Sequence, residues 1–298
     1  MPRRGRTLAI VAAMLAVGCG PVAVGGSGCS IVAMPRSLPD GLEEASGAAV
    51  SATDPEIVWT HGDGGRTLRA VSRSGEARAA YRVDARLRDW EDLAAAPCPD
   101  GGGCLYLADT GDNQERRPGV TLLRLREPVV PTRGDPGPAE PALLAAERFP
   151  VHFPEGARDV EALAVLPGER VLLITKGRNH PVTVFRYPGA LRADTVTLEE
   201  VQRLGDGPRI LPRQVTGASA RGDLVAVRTY ESLRFYRLRG DTLSELAGGP
   251  VNLRILGEAQ GEGVAVGPEG MVVLTSEAGP VGGRGSISLL RCGIPDVL

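Results

Sequence analysis

Asp159-Val-Glu-Ala-Leu-Ala164 is the stretch from which the fold of this chain can be worked out, because four other stretches repeat its pattern. Each opens with a polar residue, carries an oxygen-bearing side chain at its third position and continues into small or apolar residues. The other four are Glu44-Ala-Ser-Gly-Ala-Ala49, Asp89-Trp-Glu-Asp-Leu-Ala94, Gln214-Val-Thr-Gly-Ala-Ser219 and Gln260-Gly-Glu-Gly-Val-Ala265. We call the five stretches repeat heads. A pattern that recurs along a chain predicts one structural unit for each recurrence.

The spacing of the repeat heads favours a β-propeller. Successive third positions lie 45, 70, 55 and 46 residues apart, which brackets the length of a four-stranded blade. Each head is followed by short apolar runs bounded by Gly, Pro, Asp and Asn, as expected of antiparallel sheets. A fainter outer strand of the fourth repeat is predicted near Val251 to Leu256. We therefore predict an all-β chain that folds as a propeller of five blades.

The longest interval leaves a six-bladed alternative open, in which one degenerate blade occupies those 70 residues. Within the interval, the stretch from Glu127 to Glu147 contains five prolines. Proline cannot donate a hydrogen bond inside a sheet, so this insertion cannot hold a central strand. We expect it to loop out.

The cysteines and the strand count predict how the ring closes. The last repeat ends at Cys292 without room for an outer strand, whereas Ser30-Ile-Val-Ala-Met34 precedes the first repeat head without a partner. An N-terminal strand that completes the last blade would remove the exposed sheet edges and place Cys29 beside Cys292, ready to form a disulfide. Cys98 and Cys104 flank a glycine-rich turn, and either a second disulfide or two reduced thiols fits them.

The first residues are predicted to be a processing signal. Three arginines within the first six residues precede an apolar run that is too short to span a bilayer. The run ends in Leu15-Ala16-Val17-Gly18-Cys19, which resembles the lipobox of bacterial lipoproteins. We predict a signal peptide at 1–18, lipidation of Cys19, a flexible tether at 19–29 and a propeller domain at 30–298, with ordinary secretion as the alternative. In both cases we expect the protein to be extracytoplasmic, and a lipid anchor would be its only contact with a membrane.

Charge and composition argue against nucleic acid as a partner. Lys plus Arg is 34 against 36 for Asp plus Glu, and aromatic residues make up 4% of the chain. The chain therefore has neither a positive field for phosphates nor many side chains on which bases can stack. The 40 glycines and 24 prolines instead indicate many turns.

The repeat heads predict a site at one end of a central channel, because the first strand of each blade lines the propeller axis. Glu91, Glu161 and Glu262 would then converge. Like charges repel strongly at short range, and a hard cation such as Ca²⁺ relieves that repulsion by binding carboxylate oxygens. The alternative is a structural ring, in which backbone amides and water satisfy the glutamates.

The five third-position residues resemble the metal site of a known family. In order they are Ser46, Glu91, Glu161, Thr216 and Glu262, which is similar to the calcium-activated nucleotidase (apyrase) family, where Ser, Glu, Glu, Ser and Glu of successive blades hold a central Ca²⁺. The resemblance implies a Ca²⁺ site at these residues, with Thr216 in place of a serine. The repeat heads also resemble those of bacterial propeller lipoproteins and, more loosely, phytase-like esterase propellers. Propellers host many functions, so the resemblance specifies the repeat rather than an activity.

The ends of the second strands are predicted to surround the same end of the channel. Their polar side chains are candidate ligand contacts: His61, Asp109, Asp112, Asn113, Lys176, Arg228, Tyr230 and Glu277. The two cations and the tyrosine would offer hydrogen-bond donors to a small anionic ligand. The alternative is that the cations pair with neighbouring acids, and that the Asp-Thr-Gly-Asp-Asn stretch is only a turn.

Three functions therefore remain open. The leading hypothesis is a calcium-stabilised ligand-binding or scaffold module that recognises a small anionic or peptide-like ligand. The second is a calcium-dependent hydrolase of phosphate esters or phosphoanhydrides. The third is a docking platform for another envelope protein. Neither Gly-x-Ser-x-Gly nor His-Glu-x-x-His occurs in the sequence.

Overall fold

The computed structural model describes residues 22–24, 28–132 and 140–294, and their regular structure is almost entirely β. In chain order the first strands are β1 (Val22–Val24), β2 (Cys29–Ser37), β3 (Ala45–Val50), β4 (Ile57–Gly62), β5 (Thr67–Ser72), β6 (Ala77–Asp84), β7 (Asp92–Pro97), β8 (Gly103–Asp109), β9 (Val120–Arg126), β10 (Ala142–Ala145), β11 (Glu147–His152) and β12 (Val160–Leu166). They are followed by β13 (Arg170–Thr175), β14 (Thr183–Arg186), β15 (Val196–Thr197), β16 (Glu199–Arg203), β17 (Val215–Arg221), β18 (Leu224–Thr229), β19 (Ser232–Arg239), β20 (Thr242–Glu245), β21 (Val251–Asn252), β22 (Gln260–Val266), β23 (Met271–Glu277) and β24 (Ser286–Cys292). Two short 3₁₀ turns span Arg254–Leu256 and Pro268–Gly270.

The strands form five sheets, which are the blades of a propeller. From the axis outward, the blades run β3-β4-β5-β6-β10, β7-β8-β9-β11-β15, β12-β13-β14-β16, β17-β18-β19-β20 and β22-β23-β24-β2-β1. The innermost strands contact one another around the axis, β3 with β7, β7 with β12, β12 with β17, β17 with β22, and β22 with β3. The predicted five-bladed propeller is confirmed. In the described part of the 70-residue interval, the chain adds β10 as a parallel edge strand on the first blade rather than a sixth sheet.

The ring closes as the sequence predicts. Strand β2 pairs antiparallel with β24, and a disulfide joins Cys29 to Cys292 across a sequence separation of 263 residues. A second disulfide joins Cys98 to Cys104 at the β7-β8 hairpin. Val22–Val24 lies within the predicted tether but pairs with β2, so that segment is partly β-structure. The predicted signal peptide and Cys19 lie outside the described residues.

The outer edge of the fourth blade differs from the prediction. A two-residue turn at Gly240 and Asp241 returns the chain at once, so the outer strand is β20, Thr242–Glu245. The predicted strand near Val251 to Leu256 contributes only the two residues of β21 before the chain enters a 3₁₀ turn. The fainter apolar pattern of outer strands explains this error, because these strands bury only one face.

The core consists of five apolar clusters, one between each pair of neighbouring blades. Trp59 of the first blade, for example, is buried in the same cluster as Leu107 of the second. Because each sheet packs on both faces, strands such as β8 and β12 are buried at every position and are apolar at most of them. Among the described residues, no helix has the length and hydropathy needed to cross a bilayer.

Candidate functional site

The third-position side chains gather at one end of the channel because most of the inner strands bulge at that position. The pairing of β12 with β13 shifts register between Val160 and Ala162, on either side of Glu161. The register shifts in the same way at Ser46, Thr216 and Glu262. A bulge leaves one residue out of the ladder and redirects its side chain. We call this end of the channel, formed by the first and third positions of the five repeat heads, the upper mouth.

Three buried carboxylates of the upper mouth lie close enough to share one ion. Glu91, Asp159 and Glu161 each offer an oxygen, and these oxygens lie within 4.8 Å of one another. Asp159 Oδ1 accepts a hydrogen bond from the Asp112 backbone N–H at 2.9 Å, whereas Asp159 Oδ2 is buried and has no hydrogen-bond partner among the described residues. Asp159 occupies the first position of its repeat head and was not among the predicted metal ligands.

Lys176 is the cation that the structure places among these carboxylates. Its Nζ lies 2.6 Å from Glu161 Oε1 and 4.0 Å from Asp159 Oδ2. The lysine is buried, and its pKa is raised because Glu161, Tyr230 and Asp159 favour its charged form against the cost of burial. Its partners therefore lie inside the mouth, which differs from the neighbouring acids that the sequence suggested.

Burial raises the pKa of the carboxyl groups in the upper mouth. The pKa of Glu161 is raised to about 7, because burial outweighs the stabilising charge of Lys176. Burial and the charge of Glu161 also hold the pKa values of Glu91 and Glu262 well above their usual range. One lysine therefore does not neutralise this group of acids.

A second layer of acids surrounds the first. Burial and the neighbouring Glu44 and Asp89 raise the pKa of Asp63 to about 6. Burial and the charge of Asp63 raise the pKa of Glu277 to about 7. Glu277 was a predicted ligand contact, whereas Asp63 was missed. Asp63 could have been predicted from the sequence, because it directly follows the second strand of the first repeat. Glu277 lies at the end of the second strand of the fifth repeat.

Glu262 lies beside the three-carboxylate group rather than within it. Gln260 Nε2 donates hydrogen bonds to Glu262 Oε1 at 2.8 Å and to Glu277 Oε2 at 2.6 Å. This amide links two of the acids on the fifth blade. Its role there could have been anticipated from its place at the first position of a repeat head.

The hydroxyl groups predicted as metal ligands make contacts between blades. Ser46 Oγ donates a hydrogen bond to the Glu91 carbonyl at 2.7 Å, and Thr216 Oγ1 donates to the Glu262 carbonyl at 2.9 Å. Each bond joins one blade to the third-position residue of the next blade. Thr275 Oγ1 likewise donates to the Ser46 carbonyl at 2.7 Å. Metal binding by Ser46 and Thr216 stays a prediction, and the contact that the structure gives each hydroxyl is a clamp between neighbouring blades.

Arg228 and His61 are placed below the surface of the mouth. Arg228 is 0% exposed; its guanidinium donates to the carbonyls of Gly263 and Thr275 at 2.7 and 2.9 Å and pairs with Glu258. His61 is also 0% exposed and stacks on Trp90 with ring centroids 4.0 Å apart. Burial lowers the pKa of His61 to about 4. Neither side chain is exposed at the mouth as the structure stands, whereas Tyr230 is half-buried there.

The Asp-Thr-Gly-Asp-Asn stretch forms a built loop beside the carboxylates. Asp109 Oδ1 accepts hydrogen bonds from the backbone N–H groups of Arg88 and Asp89 at 3.1 and 2.9 Å. Gly111 packs directly against the acids, because a Cβ at this residue would lie 2.0 Å from Glu91 Oε1 and the Glu91 side chain would have to shift. Asp112 is buried and Asn113 is exposed. The loop therefore combines turn chemistry with close contact to the acids of the mouth.

Asp92 closes the channel beneath the upper mouth, and sequence reasoning gave it no role. This carboxylate is 0% exposed and accepts backbone hydrogen bonds from Leu93 at 2.9 Å, Leu163 at 2.8 Å and Ala218 at 3.0 Å. These donors belong to the second, third and fourth blades, so Asp92 reaches across the axis. The corresponding residue of the first blade is Gly47, where a Cβ would lie 2.8 Å from Asp92 Cα.

Known proteins resemble this chain in structure but not in sequence. No known family model and no curated protein matches the sequence. The structure is similar to the PQQ-bound aldose sugar dehydrogenase of Streptomyces coelicolor, with 12% identity, a TM-score of 0.53, and coverage of 90% of this chain and 99% of that chain. It is also similar to a gluconolactonase of Xanthomonas campestris, with 10% identity, a TM-score of 0.47, and coverage of 92% and 96%. At these identities the likeness concerns the fold alone.

Proposed function

We propose that the chain binds a divalent cation, Ca²⁺, in the upper mouth through Glu91, Asp159 and Glu161. One observation carries this proposal: the three buried carboxylates offer oxygens within 4.8 Å of one another, and Asp159 Oδ2 has no hydrogen-bond partner among the described residues. An unpartnered carboxylate oxygen in a buried site costs free energy unless a cation or donor meets it. Lys176 reaches this oxygen only at 4.0 Å.

The donor chemistry fits a hard cation. Carboxylate and amide oxygens are the ligands that Ca²⁺ takes, in flexible geometry and with six to eight donors in all. Besides Asp159 Oδ2, the buried Gln214 Oε1 lacks a hydrogen-bond partner within the described ranges, and Gln214 is the first-position residue of the next blade. The resemblance to calcium-activated nucleotidases adds Ser46, Thr216 and Glu262 as further candidate ligands and is the reason for naming Ca²⁺.

The bound cation would first be structural. Glu91 precedes β7 of the second blade, whereas Asp159 and Glu161 belong to the third, so one ion would join two inner strands at the axis. It would also supply a positive charge at the floor of an otherwise acidic mouth. A small anionic ligand would then bind where the carboxylates alone would repel it. We therefore favour a calcium-stabilised binding or scaffold module.

The two disulfides support the further proposal that this module works outside the cytoplasm, where thiols are oxidised. A lipid anchor at Cys19 remains part of that proposal. Mass spectrometry of the mature N-terminus from native cells would test it, with a diacylated cysteine expected. An unprocessed N-terminus would contradict it.

Calorimetric titration of chelator-treated protein with Ca²⁺ tests the cation site. We expect one ion to bind per chain, with a dissociation constant below about 1 mM. Glu91→Gln and Asp159→Asn should each weaken binding by at least about 100-fold, because each removes a charged ligand from a buried site.

The matched control is Glu199→Gln, which neutralises a carboxylate that pairs with Arg186 on an outer strand. This variant should bind Ca²⁺ like the wild type. The proposal is wrong if wild-type protein takes up no divalent cation, or if Glu91→Gln and Glu199→Gln bind it equally well.

A pocket beside the cation site favours hydrolysis of phosphate esters as the second candidate function. The pocket has a volume of about 490 Å³, and its lining includes Asp89, Asp112, Asn113 and the exposed Arg88 and Arg116. The two guanidinium groups have no side-chain partner among the described residues, so they are free to bind phosphate oxygens. The cation would supply electrostatic stabilisation of a phosphoryl group held there.

An assay for hydrolysis of phosphate esters distinguishes the hydrolase from the binding module. If the chain is a hydrolase, it should release phosphate from nucleotides or aryl phosphates only with Ca²⁺ present, and Arg88→Gln with Arg116→Gln should lower kcat/KM by about 100-fold. The same variant should still bind Ca²⁺. Calcium binding without turnover on any phosphate ester would leave the binding module as the function.

A further inference from the structure

The opposite end of the channel carries small aliphatic side chains where the upper mouth carries charged ones. Four residues after each third position, the inner strands carry a ring of small aliphatic side chains. These are Val50, Ala95, Val165, Ala220 and Val266. Four residues of strand advance the chain by about 13 Å, so this ring lies near the far end of the channel. We call the ring and the residues that follow it the lower mouth.

The lower mouth is a cavity of about 580 Å³. All five blades contribute to its lining, which places it on the propeller axis. Beyond the ring, its walls are completed by Ser51, Ala52, Ala96, Pro97, Leu166, Pro167, Gly168, Glu169, Arg221 and Gly222. Asp92 lies above the cavity and accepts hydrogen bonds from β12 and β17. The cavity and the three carboxylates therefore lie on opposite sides of Asp92.

Two of the three polar side chains in this lining already have partners. Glu169 accepts a hydrogen bond from Tyr106 Oη at 2.9 Å and pairs with Arg124. Ser51 Oγ accepts hydrogen bonds from backbone N–H groups at 3.1 and 2.9 Å. Arg221 is exposed and has no side-chain partner among the described residues. Among the lining residues described, Arg221 is thus the one charged side chain without an ion-pair partner, and it lies beside the aliphatic ring.

We infer that the lower mouth binds a small amphipathic anion, with an apolar body inside the aliphatic ring and a carboxylate or sulfonate against Arg221. The cavity has the size of sites that enclose small organic ligands, and such sites combine an apolar lining with one or a few placed polar groups. A guanidinium is suited to a planar or branched oxyanion. This site is independent of the proposed cation site, because Asp92 separates the two.

Fluorescence titration with two naphthalene probes tests the inference. Anilinonaphthalene sulfonate has an apolar body and an anionic group, whereas phenylnaphthylamine has nearly the same body without the charge. Both should bind the wild-type protein, at about one site per chain. Arg221→Gln should weaken binding of the sulfonate by about tenfold and leave the neutral probe unchanged, because only the ion pair is removed.

Ala95→Trp should weaken binding of both probes, because the indole occupies part of the cavity. The matched control Arg148→Gln removes an exposed arginine from an outer strand and should leave both affinities unchanged. Glu91→Gln and removal of Ca²⁺ should also have no effect on either probe, which distinguishes this site from the upper mouth. Thermal unfolding of each variant shows whether the fold is intact, and Arg221→Gln decides the matter if Ala95→Trp does not fold.

The inference is overturned if the wild type binds neither probe, or if Arg221→Gln binds the sulfonate as tightly as Arg148→Gln does. Loss of sulfonate binding in Glu91→Gln would also overturn it, because the probe would then report on the upper mouth.

Discussion

The two mouths of the channel are built from the same five strands, yet they have opposite chemistry. In β12, Glu161 belongs to a carboxylate group with a raised pKa, and Val165, four residues on, belongs to the aliphatic ring. The contrast arises because a propeller repeats the same strand position in every blade. Each strand position is presented to the axis five times, so a preference for oxygen-bearing residues at one position becomes a charged ring, and a preference for Val or Ala becomes an apolar one.

The largest expected effect is on stability, and it comes from Asp92, the residue that lies between the two mouths. Asp92→Ala removes the acceptor of three buried backbone N–H groups, two of them on other blades. We expect the free energy of unfolding to fall by about 3–6 kcal/mol, measured by urea denaturation. Asp112→Ala is the comparison variant, since it removes one buried carboxylate near the surface and should cost less. Equal losses in the two variants would show that Asp92 is not the link between blades.

Next in size is the effect of pH on stability, which tests the acids of the upper mouth. The pKa values of Glu161 and Glu277 are about 7 in the folded protein against an ordinary value of 4.5. Between these limits the two groups bind more protons in the folded state than in the unfolded state, so their contribution to stability falls as pH rises. Without divalent cations, we expect Tm to drop by several degrees from about pH 5 to about pH 8.

Calcium should reverse that trend, because it binds the ionised carboxylates and competes with protons. With Ca²⁺ present, Tm at the higher pH should equal or exceed Tm at the lower pH. Differential scanning calorimetry at the two pH values, with Ca²⁺ and with chelator, measures both effects. A Tm that rises with pH in the presence of chelator would contradict the assigned direction of these pKa shifts.

A smaller effect is expected from the lysine inside the upper mouth. Lys176 Nζ lies 2.6 Å from Glu161 Oε1 and competes with a divalent cation for that carboxylate. Lys176→Met should therefore tighten Ca²⁺ binding by about tenfold in calorimetric titration. Arg178→Met serves as the control, because Arg178 follows two residues later and is exposed. Weaker Ca²⁺ binding in Lys176→Met would mean that the ammonium organises the site instead of competing with the ion.

The smallest effect should come from Glu262, which lies outside the three-carboxylate group. Glu262→Gln should weaken Ca²⁺ binding by less than about tenfold, whereas Glu91→Gln weakens it much more. The same titrations measure both variants. Equal losses would favour the ligand set implied by the resemblance, in which Glu262 is a full member, over the set that the geometry indicates.

Much of the fold could be predicted because a repeat fixes many contacts at once. The spacing of the repeat heads was enough to predict five blades, and the unpaired strand at Ser30 to Met34 was enough to predict the closure. The outer strand of the fourth blade could not be placed, since its two apolar segments compete and a two-residue turn decides between them. Local turn geometry is a weaker signal than a repeated inner strand.

The candidate site was predicted less completely, because alignment shows which residues face the axis but not which ones meet there. Glu91 and Glu161 come together as expected, but the third acid of their group is Asp159 from the first position. The structure also gives the hydroxyls of Ser46 and Thr216 a contact with the next blade. Asp92 was missed because a single acid among small residues carries no periodic signal, although its neighbours at that level are glycine or alanine.

The disulfide between Cys29 and Cys292 covalently closes the ring of repeats. An open solenoid can fray, because its terminal repeats have only one neighbour and can detach singly. Here the blade that contains both cysteines is assembled from opposite extremities of the polypeptide, so no repeat is terminal. Unfolding of any one blade would expose the apolar faces of both neighbouring blades. The domain is therefore expected to unfold in one cooperative step.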